Sequence, residues 1–184
     1  PIGDIVHSAP TYHKGVVYVG ANDGMLHAMD AVTGEEIFCY VPNLVYDHLA
    51  ELANPSYSHK YYVDGTAATS RVGTQDLLVC GLGKGGKGYF CLDITTPDTM
   101  EASSVLWEYP ASGTDDDLGY SYSQAEIANT EAGKVVIFGN GYDSANEEAV
   151  LYVLSDITTT APTVTKIPTG AADCNGLSTP ALVD

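Results

Sequence analysis

The sequence predicts an all-β fold of the β-propeller type, and three observations carry that expectation. A pattern recurs three times at a spacing near sixty residues, over 17–30, 78–93 and 137–156, each copy a hairpin that ends in Asp. Gly20, Gly81 and Gly139 hold matching places in the copies, 61 and 58 residues apart, and self-similarity at such a period marks solenoids, propellers and arrays. Each copy also divides into four short apolar strands, the content of one propeller blade.

The strands follow in order. Lead strands fall at 8–12, 67–72 and 124–129. The central hairpins come next, the first with Asn22-Asp23-Gly24 at its turn, residues that tolerate positive φ. Closing strands fall at 36–40, 105–109 and 163–167, and Ser178-Thr179-Pro180-Ala181 restates the first lead strand. The expectation is a single partial propeller domain over 1–184, with blades at 7–40, 66–109 and 123–167 and the start of another at 178–184. Three blades and a leading strand do not close a ring of four to eight. The chain therefore reads as an excerpt of a larger propeller, with raw sheet edges open to edge-mediated self-association. Between the first two blades, residues 43–58 place Leu44, Val45, Leu49 and Leu52 at helical spacing before Asn54-Pro55, which predicts a short helical insertion on the surface.

Composition narrows the partners. A chain of 184 residues is long enough to bury a core. Only 7 Lys and Arg face 24 Asp and Glu, and the formal charge of -17 would repel a phosphate backbone, which argues against nucleic acid. No basic leader with an apolar core opens the chain, and no apolar run reaches membrane-spanning length. Cys39, Cys80, Cys91 and Cys174 lack zinc spacing and leave three pairings open, against the plainer reading of free thiols buried as small hydrophobes.

Catalytic signatures are missing. His7, His13, His27, His48 and His59 never pair at metal-binding spacing, and no Gly-x-Ser-x-Gly elbow accompanies Ser8. The run from Gly81 to Gly88 imitates a phosphate loop, but a strand follows it and no Ser or Thr follows Lys84, so it reads as a hairpin turn. The loop 143–148 offers oxygen ligands without the alternating acidic order that wraps calcium. The acidic loop 113–117 reads as a solvated turn. Asp30, Asp93 and Asp156 stand where strands meet Thr-rich turns, a place for Asx-type turns.

Longer motifs add a family. The segments 3–10, 19–28 and 40–44, then 57–59 with 63–66, 85–90, 138–142 and 175–184, resemble in order the C-terminal propeller of the PilC/PilY-type proteins of type IV pili. That resemblance implies a non-catalytic, secreted protein at the periplasm, outer-membrane surface and pilus tip (fimbrium). Such a protein supports pilus biogenesis, opposes retraction and mediates cell adhesion, with pilins, minor pilins and a host or surface receptor as partners. It also implies a calcium loop directly after the segment 180–184, with Asp184 as its first metal ligand and calcium bound in the full-length protein only, no cofactor being expected within this fragment. An alternative is a pyrroloquinoline quinone dehydrogenase propeller, whose repeats resemble Ala28-Met29-Asp30-Ala31-Val32-Thr33-Gly34. Those enzymes need adjacent cysteines and repeated docking tryptophans, whereas this chain has no Cys-Cys and only Trp107.

Overall fold

The computed structural model describes residues 2–131, 133–173 and 175–183. Twelve strands form three four-stranded antiparallel meanders, each ordered as it runs along the chain. The first holds β1 (Thr11–His13), β2 (Val16–Gly20), β3 (Leu26–Asp30) and β4 (Glu36–Tyr40). The second holds β5 (Ala68–Val72), β6 (Gln75–Gly81), β7 (Tyr89–Asp93) and β8 (Val105–Tyr109). The third holds β9 (Glu126–Thr130), β10 (Gly133–Gly139), β11 (Val150–Ser155) and β12 (Thr163–Pro168). These are three propeller blades, with β1, β5 and β9 as neighbours near the axis.

Alternation of side chains along the strands builds two seams. In β6, Leu78 and Cys80 point toward the first blade, while Leu77 and Val79 point toward the third. In β7, Phe90 and Leu92 join the first seam, and Tyr89 and Cys91 join the second. Because a strand offers its two faces at period two, the middle blade is apolar on both and buried throughout β6 from Asp76 onward. The second seam is aromatic. Phe138 stacks between Tyr89 and Tyr152, at centroid distances of 3.8 and 5.1 Å, and Trp107 donates its indole N–H to the Ile157 carbonyl at 3.0 Å.

The repeated glycines have a steric cause. A Cβ built on Gly20 would lie 2.4 Å from the Val63 carbonyl oxygen, and one on Gly139 would lie 2.3 Å from that of Leu177. At Gly81 the Ser121 carbonyl oxygen would be 3.0 Å away. Each glycine ends the second strand of its blade, where the segment leading into the next blade crosses over it. At the first and third of these positions the glycine N–H is also held by a serine, Gly20 by Ser8 Oγ at 2.8 Å and Gly139 by Ser123 Oγ at 2.9 Å.

Several expectations are corrected. β1 starts at Thr11 rather than residue 8, because Pro10 has no N–H and the backbone before it is spent on the next blade: Ala9 N–H donates to Thr66 Oγ1 at 2.9 Å. Among the described residues, 178–183 are in no strand. They repeat that seam contact instead, Gln124 N–H donating to Thr179 Oγ1 at 2.9 Å. Blades pack face to face, so the ends of the arc present sheet faces rather than the raw edges expected, with Val17 on one and Ile137, Leu151 and Val153 on the other half-buried. The insertion is a short helix, α1 (Tyr46–Leu49), between two 3₁₀ turns, Asn43–Val45 and Ala50–Ala53. Val45 is buried and Leu44, Leu49 and Leu52 pack on the first seam.

Asp156 does not match Asp30 and Asp93. In the first two blades a bulge between the third and fourth strands, at Ala28/Met29 and at Cys91/Leu92, lets the strand end on Asp. The third blade pairs without a bulge, and Ser155 takes the equivalent place. Asp30 accepts N–H bonds from Val32 and Thr33, and Asp93 from Thr95, as Asx turns do. Asp156 instead sits at φ 56° and its carboxylate accepts from Thr163 Oγ1.

The thiols at 39, 80 and 91 are unpaired. Cys80 and Cys91 are fully buried on opposite faces of the middle blade, and burial pushes the Cys80 thiol up to about 12 and that of Cys91 higher still. Cys39 departs from the expectation of burial and is exposed on β4. Cys174 lies outside the described residues.

Two outcomes are expected. Gly20→Ala, which forces the Val63 backbone away, should lower stability by about 1–3 kcal/mol in urea titration. Iodoacetamide followed by peptide mass spectrometry should label Cys39 in the native protein, and Cys80 and Cys91 only after unfolding.

Candidate functional site

The seams are closed by polar clamps whose partners are far apart in sequence. Asp76 is 2% exposed, its carboxylate accepts from Lys14 Nζ at 2.8 and 2.9 Å and from Arg71 Nη1 at 2.7 Å, and its backbone N–H donates to Thr95 Oγ1 at 2.8 Å. His13 Nε2 stands 3.2 Å from the same carboxylate. Burial alone would raise this group, but the bonds from Lys14, His13 and Arg71 outweigh it and hold Asp76 below the usual carboxylate range.

A second clamp corrects the reading of 113–117 as a solvated turn. Asp115 accepts the hydroxyls of Tyr109 and Tyr152 and, at 2.5 Å, Lys166 Nζ, which also reaches Asp117 at 2.8 Å. Here too burial is outweighed by these bonds, and Asp115 is held low. Tyr109 is pushed above its ordinary value by burial and by Asp115. The loop therefore ties the second blade to the third.

Near the axis, Asp64 is 2% exposed, accepts the His7 N–H at 3.0 Å and lies 2.6 Å from His7 Nδ1. The remaining histidines also stand beside acids. His27 is buried between Glu36 and Asp23, His59 Nε2 is 2.8 Å from Asp4, and His48 Nδ1 is 3.8 Å from Glu51. None of the five is left as an open base beside a nucleophile.

A cavity opens where lead-in segments cross the hairpin turns. It has a volume of about 510 Å³ and is walled by Tyr61, Tyr120, Tyr122 and Tyr142, with His48, His59, Lys60 and Lys84 around them. Tyr122 and Tyr142 stack at 4.9 Å with their planes 19° apart, and Tyr61 meets His59 edge-on at 5.0 Å. Burial first, then a hydrogen bond with Tyr142, raises the Tyr122 phenol. Lys84 Nζ sits 4.4 Å from the centre of the Tyr61 ring. Among the described residues no acidic side chain lines this cavity.

The glycine run contributes to that wall and is not a phosphate cradle. A Cβ on Gly85 would strike the Tyr62 backbone, and Gly83 takes φ 61° against Asp64 and Gly65. The run is thus glycine-rich because the chain before β5 passes over it, and a strand follows, as expected from the sequence.

Metal candidates fare differently. Asp184 lies outside the described residues, and among the described residues no three His, Cys, Asp or Glu side chains gather to hold a metal. The loop 143–148 brings no such set together.

Sequence reasoning missed the tyrosine cavity and both clamps. Its one available signal was compositional, 13 Tyr against 3 Phe, with Tyr120-Ser121-Tyr122 alternating in a loop. The cavity's walls come from four loops, and no local pattern joins them.

Comparison with known proteins gives concordant results. The family profile described as the PilY1 beta-propeller domain matches residues 4–184. A type IV pilus biogenesis factor PilY1 homolog of Xylella fastidiosa is 48% identical over 144 residues, covering 76% of this chain and 10% of the relative. The type IV pilus biogenesis factor PilY1 of Pseudomonas aeruginosa strain UCBPP-PA14 is 40% identical over 176 residues, 91% of this chain and 15% of the relative. The crystal structure of the Pseudomonas aeruginosa PilY1 C-terminal domain superposes with a TM-score of 0.64 at 36% identity, covering 92% of this chain and 33% of that one. This chain spans only a small part of the relatives it matches.

Replacing Asp76 by Asn should lower stability by about 1–3 kcal/mol. Because the native carboxylate is held low, its contribution is complete above the usual carboxylate range and is lost as pH falls through the lowered native value. Urea titrations of both proteins should therefore converge in acid, below about pH 4.

Proposed function

Since this chain belongs to the PilY1 β-propeller domain family, we propose that it is a non-catalytic module of a type IV pilus biogenesis and adhesion factor. It supports pilus assembly, opposes retraction and mediates surface attachment. The family match over 4–184 carries this reading. Its partners are pilins or minor pilins on one side and a host or surface receptor on the other. Its place is outside the cytoplasm, at the outer surface and the pilus tip.

Physical features favour a presenting surface over a reacting one. The blades are locked to each other by seam clamps, so loops at the turns are held in fixed relation. No helix of the described residues is long and apolar enough to cross a membrane. The net charge of -17 disfavours polyanions such as nucleic acid. The quinoprotein alternative gains nothing from the geometry, since Trp107 is 4% exposed and committed to the Ile157 carbonyl within the second seam.

The test is complementation of a non-piliated mutant with the full-length gene and with the same gene lacking this segment. Deletion should abolish or sharply reduce surface pili and attachment. Unchanged piliation and attachment on deletion would defeat the proposal.

A further inference from the structure

From the tyrosine-lined cavity over the blade turns we infer a binding site for an acidic sugar, a pyranose carrying one carboxylate, such as a uronic acid unit of a surface glycan. The inference rests on the reading of this chain as an attachment module and names the chemistry of what it attaches to.

Three features of the site point the same way. The first is shape and surface. A volume of about 510 Å³ lies within the range of small-molecule sites. The stacked rings of Tyr122 and Tyr142, 37% and 54% exposed, give a flat amphipathic platform on which the C–H face of a pyranose can lie. The second is hydrogen bonding. Phenol hydroxyls ring the platform, with the ring nitrogens of His48 and His59 that do not face Glu51 and Asp4, an array that suits several hydroxyls rather than an apolar ligand.

Charge is the third and most selective. Of the chain's 7 Lys and Arg, the others are engaged: Lys14 and Arg71 by Asp76, Lys60 by Glu51, Lys87 by Asp143, Lys134 by Ser70 Oγ, and Lys166 by Asp115 and Asp117. Lys84 alone, among the described residues, has neither a carboxylate nor a hydrogen-bond partner; it rests over the Tyr61 ring at the cavity wall. The acids at the rim are spent on other lining groups, Glu51 on Lys60 and His48 and Asp4 on His59, so the cation without a counter-ion is Lys84, and a single incoming carboxylate can pair with it. Polyphosphates are disfavoured, because one unpaired lysine cannot offset the surrounding negative field.

The experiment titrates the full chain with methyl glucuronide and with methyl glucoside, followed by saturation-transfer NMR. The glucuronide should bind about tenfold more tightly, the worth of one charge-assisted bond. Lys84→Gln should bring the two sugars to equal affinity, and Tyr142→Ala should abolish both signals. Both side chains are exposed, so these changes leave the fold intact, which circular dichroism checks. Equal binding of the two sugars by the wild-type chain, an unchanged preference in Lys84→Gln, or no binding by the folded protein would overturn the inference. Piliation of the segment-deleted strain is scored separately. Lost piliation without sugar binding removes this inference alone, while sugar binding with normal piliation removes the biogenesis reading and leaves the site standing.

Discussion

Everything in this arc depends on how closely one blade's backbone can approach the next. At Gly20, Gly81 and Gly139 the carbonyls of Val63, Ser121 and Leu177 occupy the space a side chain would need. That contact fixes the spacing of the blades and places the lead strands beside each other near the axis. It also carries the lead-in segments across the hairpin turns. The tyrosine cavity is a by-product of the same crossing, since Tyr61 and Tyr122 stand on those segments, while Lys84 and Tyr142 stand on the turns beneath them.

The two seams are held by different means. The first is aliphatic with a few aromatic rings and is closed by Asp76 with Lys14, Arg71 and the His13 ring around it. The second is built on stacked aromatics, with Asp115 accepting two phenols and a lysine at its rim. Buried carboxylates hold their charge only where donors offset desolvation. In a chain so poor in cations, that requirement takes up Lys14, Arg71 and Lys166. Lys84, which has no such partner, lies beside aromatic walls, so charge and stacking coincide at one place.

Much of this was legible beforehand. The four-strand repeat, the hairpin at Asn22-Asp23-Gly24, the insertion with Val45 and the turn character of the glycine run all follow from patterns within a few residues. Asp156 was misjudged because a bulge is present in two blades and absent from the third, and bulges leave no clear local mark. The loop 113–117 was misjudged because acidity reads as solvation until Tyr152 and Lys166 arrive from the next blade.

The sequence by itself therefore determined the four strands of each blade, their order and the family, because each is written in short-range periodicity and in ordered motifs. The tertiary structure decided which acids are clamped, which thiols are reachable and which lysine is unpaired. Those properties belong to pairs such as Lys14 with Asp76 and Lys166 with Asp115, 62 and 51 residues apart, which meet only across a seam. The opening glycines join both levels, since their spacing is visible in the chain and their necessity appears only when the next blade's carbonyls are in place.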